Sequence, residues 1–282
     1  MTFIDYKQPG MADADFKRLS AFILRETGIK LSPAKKSMLE GRLQRRLKAL
    51  EMISFRAYCD FLFSPGGYPE RVPMIDLVTT NKTDFFREPA HFSFLQSRVL
   101  PELTGGAGSR PLKCWSAGCS SGEEPYTLAM VLSEYAEQYP LPFYSILGTD
   151  LSTEVLETAV RAVYPAGRAA DIPLPLRQKY LLKSKDRADQ SVRVVPALRQ
   201  KVQFSRLNFM QDHYDVPADF SLIFCRNVLI YFDKATQEAV INKLCRHLCR
   251  GGYLFLGHSE SITDMDVPLE QVRPTVFRKA DD

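Results

Sequence analysis

The fold is decided by residues 113–138, KCWSAGCSSGEEPYTLAMVLSEYAEQ, where a short apolar run passes through a glycine turn into a long helical pattern. The same order follows directly, with FYSILGTD (143–150) typical of a buried strand and STEVLETAVRAVY (152–164) typical of a helix. Strands that alternate with helices lie parallel, because each helix returns the chain to the start of the next strand. The sequence therefore predicts an α/β fold with a parallel sheet and crossover helices.

This alternation is interrupted and then resumes towards the C-terminus. FSLIFCRN (220–227) and GGYLFLGHSE (251–260) have the pattern of strands and flank the helical run KATQEAVINKLCRHL, and PTVFRK (274–279) is predicted to add an edge strand. Two further runs with strand character, SVRVVPAL and KVQFSRLN, lie between STEVLETAVRAVY and FSLIFCRN. A polar link joins them to the preceding helix. We predict a small antiparallel β insertion at about 165–208.

The first part of the chain has a helical pattern without strand-like alternation. From Asp13 to about Phe63 apolar residues recur at helical spacing, and one stripe is formed by Leu39, Leu43, Leu47 and Leu50. Ser32 and Pro33 are a typical N-cap and first-turn proline for the basic helix that follows. We predict an N-terminal helical domain and linker over residues 1–90, and the α/β domain over residues 91–282.

Composition limits the class of protein. The 282 residues are 45% hydrophobic and 25% charged, which is ordinary for a globular protein. No basic leader with an apolar core begins the chain, and no run approaches the roughly 18 apolar residues of a membrane span, so we expect a cytoplasmic protein without membrane insertion. The six cysteines form no CxxC pair and the four histidines are scattered, so we expect reduced packing cysteines and no metal.

Positive charge is concentrated at the N-terminal end. The net charge is +4, and residues 1–75 hold 13 Lys and Arg against 8 Asp and Glu, whereas residues 76–282 hold 24 against 25. This distribution predicts a small basic module that docks an acidic partner, attached to a nearly neutral catalytic body.

Acidic residues stand where the first two predicted strands end. The glycines of the first turn are spaced GxxxG instead of GxGxxG, and no GK[ST] follows, so a dinucleotide site and a P-loop are both weakly supported. Glu123 and Glu124 would repel a phosphate there and would suit a cationic ligand such as S-adenosylmethionine, although balancing the helix dipole explains them equally well. Asp150 can bind ribose hydroxyls or cap the helix that begins near Thr153.

Five motifs occur in one order along the chain: TTNKTDFFRE (79–88), SAGCSSGEEPY (116–126), GTDLSTEVLETA (148–159), FCRNVLIYFD (224–233) and GHSES (257–261). Within a match from about residue 15 to 278, they resemble the chemotaxis receptor glutamate methyltransferase family, of the CheR type. The resemblance implies a helical N-terminal domain, a Rossmann-like S-adenosylmethionine (SAM) methyltransferase domain and a small antiparallel β insertion.

The same resemblance implies a reaction and a partner. The methyl group of SAM would pass to glutamate side chains of methyl-accepting chemotaxis receptors in sensory adaptation, with S-adenosylhomocysteine (SAH) as the product. The cytoplasmic domains of those receptors would be the partners, and we expect the enzyme to be a monomer.

The resemblance also implies which residues form the site. The SAM pocket would be lined by Asn81, Thr83, Arg87, Glu124, Asp150, Asn208, Phe209, Arg226 and Asn227. A glutamate acceptor is already ionised at neutral pH, so the reaction needs alignment instead of a strong base. Arg87 is expected to orient the acceptor carboxylate with its planar guanidinium. Tyr231 resembles the family's active-site tyrosine, and a packing tyrosine within IYF is the competing interpretation.

The basic helix carries the predicted docking residues. Arg42, Arg45 and Lys48 lie away from the leucine stripe, and Arg46 borders it. On pattern alone, a solvated face or a weak nucleic-acid patch explains such a helix better, and only the resemblance favours docking of an acidic receptor helix. Some family members also bind a receptor C-terminal peptide through a glycine-rich turn in the β insertion. The link here, KSKDRADQ (183–190), has no glycine, which weakens the case for that tether but leaves edge-strand addition physically possible.

Three other classes of protein are less well supported. Nucleic-acid methyltransferases often carry an Asn/Asp-Pro-Pro-Tyr/Phe segment, whereas this chain has FCRNVLIYF and too small a charge excess for a nucleic-acid groove, so we expect no nucleic-acid partner. A nicotinamide dehydrogenase is disfavoured by the missing GxGxxG. A binding protein without activity is disfavoured because Arg87, Glu124, Asp150 and Tyr231 are all present.

Overall fold

The computed structural model describes residues 10–105, 111–141, 143–186 and 188–280, and it divides the chain into two compact units. The first comprises the residues up to Thr80 together with Tyr231–Asp233, and the second comprises Asn81–Ile230 and the chain from Lys234 onward. Residues 81–90, which the prediction placed in the N-terminal domain and linker of residues 1–90, therefore belong to the second unit. None of the helices in these ranges is long and apolar enough to cross a membrane.

The first unit is helical. Its described residues form α1 (Asp13–Thr27), α2 (Lys36–Ala49), α3 (Phe55–Leu62) and α4 (Arg71–Val78), with 3-10 turns at Pro33–Lys35 and Pro65–Glu70. Leu39, Leu43 and Leu47 are fully buried on one face of α2, as the stripe predicts, whereas Leu50 lies at the helix end and is half-buried. The predicted start of α2 was too early, because a 3-10 turn follows Ser32, whose side chain makes no capping hydrogen bond.

The second unit is built on a seven-stranded sheet with helices between its strands. The strands are β1 (Leu112–Ala117), β2 (Tyr144–Asp150), β6 (Val202–Arg206), β7 (Phe220–Cys225), β8 (Leu248–Leu256), β9 (Leu269–Arg273) and β10 (Val276–Lys279). Their order in the sheet is β6-β2-β1-β7-β8-β10-β9. The first five strands pair in parallel, and β10 pairs antiparallel with both β8 and β9.

The helices of this unit connect or precede the strands. They are α5 (Pro89–Phe94), α6 (Leu100–Thr104), α7 (Glu123–Gln138), α8 (Thr153–Arg161), α9 (Leu174–Tyr180), α10 (Pro196–Arg199) and α11 (Lys234–His247). A π-helical segment, Leu95–Val99, joins α5 to α6. The helix α7, which leaves the glycine turn predicted to decide the fold, is buried along the whole of Glu123–Leu132. The core of the unit packs around it, with β1, β2 and β7 contributing their apolar side chains.

A second, three-stranded sheet forms the predicted antiparallel insertion. It consists of β3 (Val163–Pro165), β4 (Leu181–Lys183) and β5 (Ser191–Val194), in the order β3-β5-β4, and both pairings are antiparallel. The predicted extent of 165–208 was wrong at its C-terminal end. The run KVQFSRLN supplies β6, which pairs in parallel with β2 in the main sheet, so the insertion ends before Val202.

The C-terminal strands also differ from the prediction. PTVFRK does form a strand, β10, but it lies between β8 and β9 instead of at the sheet edge. The edge position is taken by β9, which the sequence did not indicate. Its five residues, LEQVR, are all exposed or half-buried, so they lack the alternation by which a strand is recognised.

Candidate cofactor and active site

The turn between β1 and α7 requires glycine at both of its ends. Gly118 and Gly122 have φ values of 85° and 94°, in the left-handed region, and Ser120 between them has a φ of 50°. A methyl group added at Gly118 would overlap Val228, and one added at Gly122 would lie 2.8 Å from the Cβ of Ala159. The turn is thus a tight backbone loop that other segments approach closely.

This turn is fixed to the end of β2. The backbone N–H groups of Gly118 and Cys119 donate to the carbonyl of Thr149, at 2.7 and 2.9 Å. Asp150, the last residue of β2, accepts from the N–H of Ser120 at 2.8 Å and from the N–H of Ser152 at 3.0 Å. Its half-buried carboxylate therefore spans the glycine turn and the start of α8. The ribose and the capping interpretations of Asp150 are both compatible with this position.

The two acids at the start of α7 each lie beside an arginine. Glu123 is fully buried, accepts from the Ser121 hydroxyl at 2.7 Å, and has its Oε1 3.2 Å from Nη1 of Arg168. Burial raises the pKa of Glu123. Glu124 accepts from the Ser116 hydroxyl at 2.7 Å through Oε1 and from Arg226 Nε at 2.6 Å through Oε2. A cation already lies beside each carboxylate, so the simple prediction of two acids facing a cationic ligand needs refinement.

Arg226 is the centre of a buried polar network. Its side chain is 3% exposed and, besides Glu124, its Nη1 donates to the carbonyl of Arg87 at 2.7 Å. The same nitrogen lies 3.2 Å from Nδ1 of His91 and 3.5 Å from Oε2 of Glu88. Burial, reinforced by Arg226, lowers the pKa of His91 to about 4, so this imidazole is neutral near pH 7. The network joins the end of β7 to the start of α7 and to the segment before α5.

The segment that holds three predicted site residues runs beside the glycine turn. The Ser120 hydroxyl donates to the carbonyl of Asn81 at 2.9 Å, and Arg168 donates to the carbonyl of Thr83 at 2.7 Å. Arg87 donates through Nη1 to the carbonyl of Lys82 at 2.9 Å, which curls its side chain over its own segment. The first two bonds place the main chain of Asn81 beside the glycine turn and that of Thr83 beside Arg168, the partner of Glu123. The carbonyl of Arg87 accepts from Arg226, the partner of Glu124.

Asn208 and Phe209, the predicted residues after β6, follow the carboxyl end of that strand. The N–H of Leu207 donates to the carbonyl of Asp150 at 2.9 Å. This bond fixes the residue before Asn208 to the end of β2. Phe209 is mostly buried, and its carbonyl accepts from the Tyr214 hydroxyl at 3.0 Å and from Lys243 Nζ at 2.6 Å. The loop is held at its main chain by groups that the sequence did not indicate.

Other supporting residues were also missed. Glu88 accepts from Asn227 Nδ2 at 3.3 Å and from the N–H of His258 at 3.2 Å, and Glu260 accepts four backbone N–H groups around Asn227. Both glutamates lie inside motifs that carry the family resemblance, TTNKTDFFRE and GHSES. That position is the one signal in the sequence that singles them out.

Tyr231 groups with the first unit. It ends the 3-10 turn Leu229–Tyr231, is half-buried, and its carbonyl accepts from the N–H of Lys30 at 3.5 Å. Its assignment to the methyl-transfer site stays a prediction.

The four predicted docking residues of α2 divide into two pairs. Arg46 donates from Nε and Nη2 to the carboxylate of Glu70, at 2.7 and 2.5 Å, and this carboxylate also accepts from the Tyr58 hydroxyl at 2.9 Å. Arg42 donates to the carbonyls at the end of α4, those of Val78 at 2.5 Å and Thr79 at 3.0 Å, and to the Thr80 hydroxyl. Arg45 and Lys48 are exposed. The first pair therefore ties the helices of its own unit together, and the second pair is open to a partner.

One cluster in the described part of the chain has metal-ligand chemistry. Atoms of Glu88, His91 and His258 lie within 4.8 Å of one another. The guanidinium of Arg226 points into this cluster, at 3.2 Å from His91 and 3.5 Å from Glu88, and so takes the place of a cation. We assign no metal here.

The arrangement suits SAM. The left-handed turn follows β1, and Glu124, Asp150 and Arg226 stand after the carboxyl ends of the adjacent parallel strands β1, β2 and β7, where open α/β sheets bind nucleotide-like ligands. The family described as "CheR methyltransferase, SAM binding domain" matches residues 81–277, and that described as "CheR methyltransferase, all-alpha domain" matches residues 14–79.

Curated relatives match over almost the whole chain. A chemotaxis protein methyltransferase of Borreliella burgdorferi is 39% identical over 269 residues, which are 94% of this chain and 94% of the relative. Chemotaxis protein methyltransferase 2 of Pseudomonas aeruginosa is 36% identical over 94% of this chain and 93% of its own, and the Escherichia coli enzyme is 35% identical over 91% and 87%. These matches confirm the predicted family, fold class and cofactor. The chain belongs to the CheR methyltransferase family, and its second unit is the SAM-binding methyltransferase domain of that family.

Proposed function

We propose that this enzyme transfers the methyl group of SAM to glutamate side-chain carboxylates of chemotaxis receptors, as a protein-glutamate O-methyltransferase of sensory adaptation. The observation that carries the proposal is the match of both units, residues 14–79 and 81–277, to the two domains of one methyltransferase family. The names of the relatives, chemotaxis protein methyltransferases, support the same biological setting. Since the receptors' methylated segments are cytoplasmic, the enzyme would act in the cytoplasm.

The cofactor would be held by residues from five segments. They are Asn81, Thr83 and Arg87 before α5, Glu124 at the start of α7, Asp150 at the end of β2, Asn208 and Phe209 after β6, and Arg226 and Asn227 after β7. Support for this set comes from the hydrogen bonds that tie each segment to its neighbour. In particular, the buried pair of Glu124 and Arg226 fixes two segments at once. When bound, SAM supplies a methyl group on a positively charged sulfur.

The protein's own contribution to the chemistry would be alignment. A glutamate carboxylate is ionised at neutral pH, so no protein group has to remove a proton from it. Arg87 would orient this carboxylate with two parallel N–H bonds, and Tyr231 would be the active-site tyrosine that the family resemblance implies. Correct placement of the reacting groups can contribute about 7–11 kcal/mol towards lowering the barrier.

The first unit would dock the receptor. Arg45 and Lys48 offer exposed positive charge on α2, and an acidic receptor surface complements it. Arg42 and Arg46 would act indirectly, because their bonds to the end of α4 and to Glu70 hold the helix that carries the exposed pair.

The test is incubation of the enzyme with radiolabelled SAM and receptor-rich membranes. We expect label on the receptor that is released by mild base, as a methyl ester is, and that disappears when the receptor's methylated glutamates are changed to alanine. Label in nucleic acid, or base-stable label on the receptor, would overturn the proposal.

A further inference from the structure

The loop that follows β7 directs three successive backbone N–H groups at one carboxylate. Glu260 accepts from Asn227 at 2.9 Å through Oε2, and from Val228 at 2.8 Å and Leu229 at 2.7 Å through Oε1. Its Oε2 accepts a fourth N–H, that of Gly257, at 2.6 Å. Consecutive N–H groups that converge in this way form an anion-binding concavity of the backbone, and here the anion is a side chain of the same protein.

The charge state of Glu260 follows from this geometry. The residue is 6% exposed, and burial raises its pKa above the ordinary value. Four N–H donors favour the ionised form, because a protonated carboxyl would set its own hydrogen against one of them. Each of the four is therefore a charge-assisted hydrogen bond, the stronger class of such bonds.

These bonds hold the loop in a conformation that it would not adopt by itself. Asn227 has a φ of 59°, in the left-handed region that residues other than glycine seldom occupy. Gly257 comes so close to it that an added methyl group would lie 2.5 Å from Asn227 Nδ2. The amide of Asn227 donates in turn to Glu88. Both the main chain and the side chain of Asn227 are thus fixed by carboxylates.

The loop also packs on the glycine turn after β1. The Val228 side chain fills the space that a methyl group at Gly118 would need. Since the N–H of Val228 is bonded to Glu260, the position of this carboxylate sets how closely the loop approaches the turn. Glu260 therefore acts on two sides of the proposed SAM site, through Asn227 and through Val228.

We infer that Glu260 is a positioning residue for SAM binding: it holds the Asn227–Leu229 loop against the glycine turn before the cofactor arrives. The inference rests on the proposed assignment of Asn227 to the cofactor site. A preformed loop binds more tightly, because the free energy of ordering it is not taken from the binding step. Glu260 itself need not touch the cofactor.

The variant Glu260→Gln tests this with almost unchanged volume. A neutral amide offers one oxygen and one NH2 group, so at least two of the four N–H groups lose their acceptor. We expect the dissociation constant for SAH, measured by titration calorimetry, to rise by about tenfold or more. The KM for SAM should rise likewise, with a smaller fall in kcat. In the cofactor-free enzyme, the N–H groups of 227–229 should exchange with deuterium faster than in the wild type.

Glu270→Gln is the matched control, because Glu270 is exposed on the edge strand β9 and should change none of these quantities. Unchanged SAH affinity in a folded Glu260→Gln variant would overturn the inference, even with faster exchange. If that variant fails to fold, Glu260→Asp serves instead, since it keeps the charge but shortens the reach, and unchanged affinity there counts equally against it. SAH binding needs no receptor. If the proposed receptor methylation fails, the SAH dissociation constants of the Glu260 variants still test this inference.

Discussion

The guanidinium of Arg226 and the carboxylate of Glu124 form a buried ion pair, with Nε and Oε2 2.6 Å apart and side chains 3% and 10% exposed. The pair connects the end of β7 to the first turn of α7, two segments 102 residues apart in the chain. Both partners belong to the proposed cofactor site. The sequence suggested that the carboxylate of Glu124 faces a cationic ligand. In the structure this carboxylate pairs with Arg226 and so holds two segments of the proposed site together.

We expect Arg226→Met to destabilise the protein strongly. The substitution leaves Glu124 buried without its cation, and loss of one partner of a buried pair costs about 3–5 kcal/mol. Chemical denaturation monitored by circular dichroism measures this change in the free energy of unfolding. Arg161→Met is the control, because the side chain of Arg161 makes an exposed pair with Glu157 and an exposed hydrogen bond to Thr158, and its loss should change stability by less than about 1 kcal/mol. Equal effects of the two substitutions would contradict the structural role of the pair.

The local sequence predicts the β1–α7 region well, and the reason is physical. A buried strand, a turn that needs glycine and a helix are each specified by neighbouring residues, so the spacing of Gly118 and Gly122 between the two apolar patterns is enough to locate the turn. Strand pairing is not specified in this way. The run that forms β6 has the same local pattern whether it joins the small sheet or pairs with β2, and only the tertiary fold decides between them.

The candidate site shows the same limit. Glu124 and Asp150 stand out because they follow strand ends, where ligands of α/β proteins bind. Glu260 does not, because its role depends on N–H groups more than 30 residues earlier in the chain, at Asn227–Leu229. Helical spacing predicts only that Arg46 borders the leucine stripe. Its ion-pair partner, Glu70, is 24 residues away in the chain and is identified only in the folded unit.

We expect Gly118→Ala to weaken SAH binding. The residue has a φ of 85°, and the added methyl group would push Val228 away from the turn. A strained φ of this kind costs on the order of 1–3 kcal/mol, and displacement of the loop should raise the SAH dissociation constant about tenfold. Gly167→Ala is the control, since a methyl group there meets nothing within 4 Å. Calorimetric titration of both variants checks the prediction, and unchanged affinity in Gly118→Ala would refute it.

Charge reversal on α2 should separate docking from cofactor binding. We expect Arg45→Glu to lower the rate of receptor methylation several-fold, most strongly at low salt, because its exposed charge would face an acidic partner. The SAH affinity and the melting temperature should stay as in the wild type. Arg56→Glu on α3, also exposed, is the control for net charge. An equal loss in both variants would indicate a general charge effect instead of a docking site on α2.

Arg46→Ala should behave differently from Arg45→Glu. It leaves the carboxylate of Glu70, which is 5% exposed, with the Tyr58 hydroxyl as its remaining side-chain donor. We expect the free energy of unfolding to fall by about 3 kcal/mol. Thermal and chemical denaturation measure this loss. A variant of wild-type stability with impaired receptor methylation would instead make Arg46 a docking residue.

Stability should fall as the pH drops through the range set by His91. Burial, with help from Arg226, lowers the pKa of His91 to about 4 in the folded protein, whereas an unfolded histidine has its ordinary value near 6.5. Between these values the unfolded state binds the extra proton, so this residue removes up to about 1.4 kcal/mol of stability per pH unit as the pH falls from about 6.5 to about 4.

The slope of stability against pH isolates this effect from any change in packing at the same position. His91→Asn has no group that titrates in this range, so its free energy of unfolding, measured by denaturant titration at several pH values, should fall less steeply than that of the wild type. His213→Asn, at an exposed position, should keep the wild-type slope. The opposite outcome is that His91→Asn and the wild type lose stability equally steeply between pH 6.5 and about pH 4. That result would show that groups other than the buried imidazole beside Arg226 cause the loss of stability in acid.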